Sequence, residues 1–293
     1  MAPVTSPSAI GTDPLLVIGA SGYVGQALVE VSNSRGFEVV EGHHRDSEPV
    51  DARSTSVVEL SDAAALDRCL SGGFDGSVVV LPQLQGPDLD WILDRVDGPR
   101  WVIFSSSQLS SSTPAPGFEI AAARERLAVR RGAVVIRPTM VFGRGTDGNV
   151  SRLIHQLSST RLPFQLGDGS QLVQPVHVDD LVDLVHRAIA APAPGVVEAG
   201  GRDQLTAREL LTMLTELLSV RTPTVRCPEK VLSVTARLAP LIGLRADQVL
   251  RLVEDKVVEN SLAQERFGWQ PAPTAHRLEQ AVDEAGYGPR APS

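Results

Sequence analysis

Gly19, Gly22 and Gly25 stand at G-x-x-G-x-x-G spacing, and the chemistry of that pattern is the holding of a pyrophosphate. Each glycine has its own duty. Gly19 lets the chain leave a strand with an unusual φ, Gly22 removes a Cβ so that phosphate can approach the backbone, and Gly25 lets a helix pack on the strand. Ser21, Tyr23 and Val24 between them present first-turn N–H groups to the same phosphates. About 20 residues beyond the turn, where a dinucleotide fold meets the adenosine ribose, the chain reads His43-His44-Arg45 in place of an acid. A fixed planar cation there suits a 2′-phosphate, so His44 and Arg45 favour NADP. NAD is the alternative, with Glu41 or Asp46 supplying a carboxylate.

Such a turn works only between a buried strand and a helix. Leu15-Leu16-Val17-Ile18 reads as the strand, and apolar positions 24, 27, 28 and 31 continue at helical spacing. Further strands are expected at 37–42, 55–60, 77–81, 100–104, 131–138 and 195–200, with helices between them, one capped by Ser61. This alternation predicts an α/β fold, a doubly wound parallel sheet of the Rossmann kind, with ligands beyond the carboxyl ends of its strands. Glu59, Leu60, Leu81, Pro82 and Ser105 fall at those ends and complete the expected cofactor contacts. Residues 14–143 with 176–201 form the expected dinucleotide-binding domain. Residues 144–175 with 202–293 form a smaller, mostly helical substrate domain, which holds a capping box at Thr206-Ala207-Arg208-Glu209 and apolar helical spacing around 231–241 and 249–253. Residues 1–13, rich in Pro, Ser and Thr, read as a flexible tail without the features of a leader segment.

A net charge of -8 and a pI near 5.3 leave no basic stripe for a nucleic-acid partner. Cys69 and Cys227 are too few for a disulfide framework and are not spaced as metal ligands, which points to a reducing, cytoplasmic setting and no metal. No apolar run reaches the roughly 18 residues of a membrane span.

Gly19 to Gly25, Phe104-Ser105-Ser106-Ser107, Arg137-Pro138-Thr139-Met140-Val141-Phe142-Gly143, Gly167-Asp168-Gly169-Ser170-Gln171, Pro175-Val176-His177-Val178-Asp179-Asp180 and Phe267-Gly268-Trp269-Gln270-Pro271 together resemble the extended short-chain dehydrogenase/reductases, the NAD-dependent epimerase/dehydratase superfamily. The resemblance covers nearly the whole chain. It implies a cofactor over the strand ends, a substrate in the inter-domain cleft, and a catalytic Ser with a Tyr-x-x-x-Lys pair. Here the helix reads Gly117-Phe118-Glu119-Ile120-Ala121-Ala122, and the tyrosines and lysines of the chain, Tyr23, Tyr287, Lys230 and Lys256, lie elsewhere. A phenol activated by a neighbouring ammonium is therefore not expected on this helix.

Ser107, Arg137 and His177 remain as candidate catalytic groups. Arg137 stands at the site edge, while Ser107 and His177 have structural alternatives, a strand-end hydroxyl for the one and a satisfied core imidazole for the other. Asp179 and Asp180 read as N-cap and first-turn carboxylates, His155 as a weaker candidate, and Arg144 and Asn149 as polar loop residues able to touch substrate. Where nucleotide-sugar relatives carry an Arg after the Gly-Asp-Gly turn, this chain has Leu172, so that substrate class is expected to be disfavoured. The wording of 174–180 resembles the branch that includes a respiratory complex I accessory subunit. The expected function is thus an NAD(P)-binding, atypical dehydrogenase/reductase-like protein acting on a small molecule by oxidoreductase or isomerase/lyase chemistry, not a nucleotide-sugar enzyme. The alternative is a catalytically silent NADP-binding structural or regulatory subunit, with a homodimer or a protein partner.

Overall fold

The computed structural model describes residues 13–43, 49–54, 56–59, 63–71, 74–82, 84, 89–110, 117–227 and 254–287. The expected tail at 1–13, nearly all of it, and the apolar stretches at 231–241 and 249–253 lie outside the described residues, as do His44, Arg45, Asp46, Leu60 and Ser61.

The chain runs β1 (Pro14–Ile18), α1 (Tyr23–Ser34), β2 (Glu38–His43), β3 (Ser56–Glu59), α2 (Ala63–Ser71), β4 (Ser77–Val80), α3 (Asp90–Leu93), β5 (Trp101–Phe104), a 3-10 turn (Ser107–Ser110), α4 (Phe118–Arg130) and β6 (Val134–Pro138). The strand β11 (Gly195–Ala199), after helix α6 (Val178–Ala190), completes a seven-stranded sheet in the order β11-β6-β5-β4-β1-β2-β3. All its pairings are parallel. Parallel strands must be buried on both faces, and the central ones, β1, β4 and β5, are. Leu15, Val17, Val79, Val102 and Val134 face one cluster with Leu28, Leu181 and Trp269, whereas Leu16, Ile18, Val78, Ile103 and Val135 face the other with Leu93 and Ala128. The strand order reverses between β1 and β4, which opens a crevice at their carboxyl ends, directly beyond Ile18.

The remaining elements are β7 (Val141–Phe142), α5 (Val150–Thr160), β8 (Phe164–Leu166), β9 (Leu172–Val173), β10 (Val176–His177), β12 (Leu205–Thr206), α7 (Ala207–Leu217), β13 (Val225–Cys227), α8 (Ser261–Phe267) and α9 (Thr274–Glu284). Phe142, Ile154, Leu157, Leu210, Leu214 and Leu278 gather α5, α7 and α9 into a third core beside the crevice. Thr206 and Glu209 form the reciprocal capping box. Late in the chain, Ala263, Phe267 and Trp269 pack into a face of the main sheet instead, where the Trp269 indole N–H donates to the Asp180 carbonyl at 2.8 Å. Among the described residues, no helix is long and apolar enough to cross a membrane.

Candidate dinucleotide and substrate cleft

The glycine turn is built as its spacing requires. Gly19 has φ +90°, and its N–H donates to the Gly42 carbonyl at 2.9 Å, tying the turn to β2. A Cβ at Gly25 would overlap the Gly19 carbonyl oxygen and lie 2.6 Å from that of Ala20, so only glycine allows α1 to approach β1 this closely. Gly22 is the N-cap of α1 in an extended conformation, with no side chain capping the helix. The first-turn N–H groups therefore point toward the crevice with the positive end of the helix behind them. Leu81 and Pro82 close the other side: a Cβ at Gly19 would sit 3.1 Å from Pro82 Cδ and 3.4 Å from Leu81 Cβ.

At the end of β2 the structure corrects the alternative of a ribose-binding Glu41. Its carboxylate is fully buried and accepts from His43 Nε2 at 2.7 Å and from the backbone N–H groups of Val50 and Asp51. Burial alone would raise its pKa, but these bonds and one from Ser54 outweigh it and hold the carboxyl ionised below its usual range.

From the turn, a cleft of about 400 Å³ runs across the ends of β5 and β6. Tyr23 and Val24 of α1, Ser106 to Gln108 after β5, Pro138 to Val141, the loop 146–149 and Lys256 line it. An adjoining cavity of about 180 Å³ lies between Ser105, Gln108, Thr139 and the buried Ala121 of α4. The Ser105 hydroxyl is buried there without a hydrogen-bond partner. Ser105, Ser107 and the Gly turn, singled out in the sequence, thus come together.

Other candidates do not reach the cleft walls. Arg137, in β6, makes a bidentate pair with Glu125 of α4 at 2.9 and 2.5 Å and lies 3.7 Å from Glu198 of β11. His177 is fully buried behind Gly143 and, rather than Asp179, is the N-cap of α6: its Nδ1 accepts from the Asp179 N–H at 3.2 Å. Burial, joined by the Arg277 charge, lowers the His177 pKa. Its Nε2 has no hydrogen-bond partner and stands 3.8 Å from Glu284. Arg144 turns away from the cleft to Glu30 at 2.5 Å and Asp179 at 2.9 Å. His155 lies beside Tyr287 at the third core, its Nε2 3.2 Å from the Gly145 carbonyl.

Two residues that shape the cleft were not singled out from sequence. Asp147 is buried and accepts from the N–H groups of Gly143, Asn149 and Ser151 and from the Ser151 hydroxyl, so its carboxyl group organises the loop 143–151. Its signal was present in Asp147-Gly148-Asn149 just before an apolar helical run. Lys256 arrives from more than 80 residues along the chain by a parallel bridge to Val173, which no local pattern announces. Tyr23 donates its hydroxyl to the Gly143 carbonyl at 2.9 Å, and burial with the nearby Asp147 and Glu284 pushes its pKa far above the usual value.

A parallel sheet reversing at a glycine turn, with an open cleft across the adjacent strand ends, defines an α/β protein of the dinucleotide-binding type. The sequence profile described as "NAD dependent epimerase/dehydratase family" matches residues 119–200. A curated relative, N-acetyl-alpha-D-glucosaminyl-diphospho-ditrans,octacis-undecaprenol 4-epimerase of Escherichia coli O157:H7, is 23% identical over 258 residues, which is 74% of this chain and 76% of the relative. The UDP-glucose 4-epimerase of Thermotoga maritima, solved with UDP-glucose, superposes with a TM-score of 0.71 at 17% identity, covering 92% of this chain and 98% of that one. MoeE5, solved with UDP-glucuronic acid and NAD, superposes with a TM-score of 0.70 at 19% identity, covering 93% and 99%.

These findings overturn the expectation that the chain is not a nucleotide-sugar enzyme. Its ground was the absence of an Arg at Leu172.

Proposed function

We propose that this chain is an NAD(P)-dependent enzyme of epimerase or dehydratase type whose substrate is a sugar carried on a diphosphate. The observation that carries this reading is the cleft lined together by the first turn of α1, the segments that follow β5 and β6, and Lys256. It offers one end to a dinucleotide pyrophosphate and has hydroxyl and amide groups along its length for a sugar. The nucleotide-sugar and NAD complexes named for relatives of the same fold support it.

In this reading the pyrophosphate of the cofactor lies on Gly22, Tyr23 and Val24, its adenosine end runs over Leu81 and Pro82, and its nicotinamide reaches the Ser106–Thr139 region. When bound, the cofactor supplies hydride transfer. NADP is the preferred form, because Glu41 is committed inside β2 and the residues that follow are His44 and Arg45. Ser107 orients the sugar hydroxyl or carbonyl. Phe118 and Ala122, or Gly117 and Ala121, stand where relatives hold a phenol and an ammonium, so proton transfer does not come from α4. Tyr23 does not replace that phenol, since its hydroxyl is spent on Gly143 and resists ionisation.

The test is calorimetric titration with NAD and NADP, followed by UDP-glucose and UDP-N-acetylglucosamine added to the cofactor-loaded protein. Binding of a cofactor and then of a UDP-sugar is the expected outcome. Cofactor binding with no UDP-sugar binding would sink the substrate class.

A further inference from the structure

We infer that Arg144 is a positioning residue: it straps the loop 143–149 to α1, α6 and α9, and so sets how long a dinucleotide stays in the cleft. The inference rests on the cofactor reading of the glycine turn and gives a task to a cation that faces away from the cleft.

The loop is held by polar contacts. Gly143-Arg144-Gly145-Thr146-Asp147-Gly148-Asn149 contains three glycines and no apolar side chain, so burial contributes little to its position. Its start has the form of a hinge. Gly143, Arg144 and Gly145 have φ of +123°, +51° and +72° in succession, and a Cβ at Gly143 would come 2.3 Å from His177 Nε2. Arg144 thus carries a side chain in a conformation that L residues rarely adopt, and contacts elsewhere must keep it there.

Those contacts reach three helices. The Arg144 backbone N–H donates to the Glu284 carboxylate of α9, Nη1 donates to Glu30 of α1 at 2.5 Å, and Nε and Nη2 donate to one oxygen of Asp179 in α6 at 3.1 and 2.9 Å. Two of the receiving carboxylates are braced in turn, since the Gln280 amide donates to Asp179 at 3.1 Å and to Glu284 at 2.8 Å. A guanidinium fork serves Glu30 and Asp179 at once from different nitrogens, a geometry that an ammonium does not reproduce.

The same loop meets the ligand-binding elements. Thr146 to Asn149 line the cleft together with Tyr23 of the first turn of α1, whose hydroxyl donates to the Gly143 carbonyl at 2.9 Å. Arg144, Glu30, Asp179 and Glu284 line a separate pocket of about 470 Å³, which Tyr23 and Thr146 line as well. The loop therefore borders open space outside the cleft as well as within it. Breaking the strap lets residues 146–149 leave the first turn of α1, and the cofactor departs sooner. Glycine-hinged loops gate binding sites in this way.

The experiment follows release of bound NADPH, or of NADH if that is the form held, by stopped-flow fluorescence on mixing the loaded full-length protein with excess oxidised cofactor. Arg144→Met should release it roughly tenfold faster, as expected for loss of a charged hydrogen-bond partner, and Arg144→Lys should fall between that variant and wild type. High salt should speed release from wild type and leave Arg144→Met unchanged. Glu30→Gln, at a half-exposed position on α1, should also speed release and tests the strap even where Arg144→Met fails to fold. The double variant should be no faster than Arg144→Met alone, because both remove the same contact. Arg137→Met, which breaks an ion pair that does not line the cleft, is the control for lost stability and should release at the wild-type rate. Wild-type release rates in Arg144→Met and Glu30→Gln overturn the strap and leave the cofactor reading standing, and an equal rise in the Arg137→Met control overturns the strap as well. A wild-type protein that binds neither NADPH nor NADH overturns both.

Discussion

Acidification should weaken this fold through His186. Its ring joins α1 to α6, with Nδ1 2.8 Å from Arg35 Nη1, Nε2 2.9 Å from the Ser32 hydroxyl, and its face stacked 5.2 Å from Phe37. Arg35 can only donate, so Nδ1 is the acceptor and Nε2 carries the single proton toward Ser32. Burial, then the Arg35 charge, pushes the pKa from 6.5 to about 4, against a smaller pull from Asp183. A folded pKa below the unfolded one means that the unfolded chain binds more protons in between. The stabilisation is complete above the unfolded value and is lost as pH falls toward the folded one. With these two values, going from about pH 7.5 to about pH 5 removes about 2 kcal/mol, at about 1.4 kcal/mol per pKa unit. Urea unfolding followed by tryptophan fluorescence across this range, on wild type and His186→Gln, isolates the effect. The amide retains an acceptor and a donor but does not titrate. The stability advantage of wild type should shrink by that amount on acidification. Curves that stay parallel within about 0.5 kcal/mol would refute the assignment of a neutral, buried His186.

Three further outcomes follow from contacts already described. Gly25→Ala forces a Cβ into the Gly19 and Ala20 carbonyls, and should cost about 1–3 kcal/mol of stability in urea titrations and abolish calorimetric NADP binding. Arg137→Met strands Glu125, which is 4% exposed, and should cost about 3 kcal/mol or more, with cofactor affinity unchanged in the fraction that folds. Asp147→Asn replaces two acceptor oxygens with one beneath the Gly143, Asn149 and Ser151 donors. It should cost about 1–3 kcal/mol and weaken sugar-nucleotide binding in the same calorimetric assay.

Much of the fold was legible because its signals are local. The Gly19 turn is fixed by three glycines and the strand before them, and the Thr206 box by two side chains three residues apart. The lining of the cleft was legible just beyond a strand end, as with Ser105 and Ser107 after β5. It was illegible where distant segments meet. Arg137 carries a site-like motif, yet its guanidinium finds Glu125 on the flanking helix, and no sequence spacing reveals that pairing. His177 sits in a motif shared with functional segments, but the close approach of Gly143 and its capping of α6 bury it. The reverse error came at Leu172. Reading one strand alone missed the segment that pairs beside it from more than 80 residues later.

A crystal structure of the protein with NADP and UDP-N-acetylglucosamine tests the account most directly. The account predicts the cofactor pyrophosphate on the N–H groups of Tyr23 and Val24, the nicotinamide beside Ser107 and Thr139, and the sugar nucleotide in the same cleft. A cofactor pyrophosphate bound away from the α1 N-terminus, or a sugar nucleotide seated outside the cleft between Ser106 and Asn149, would contradict it.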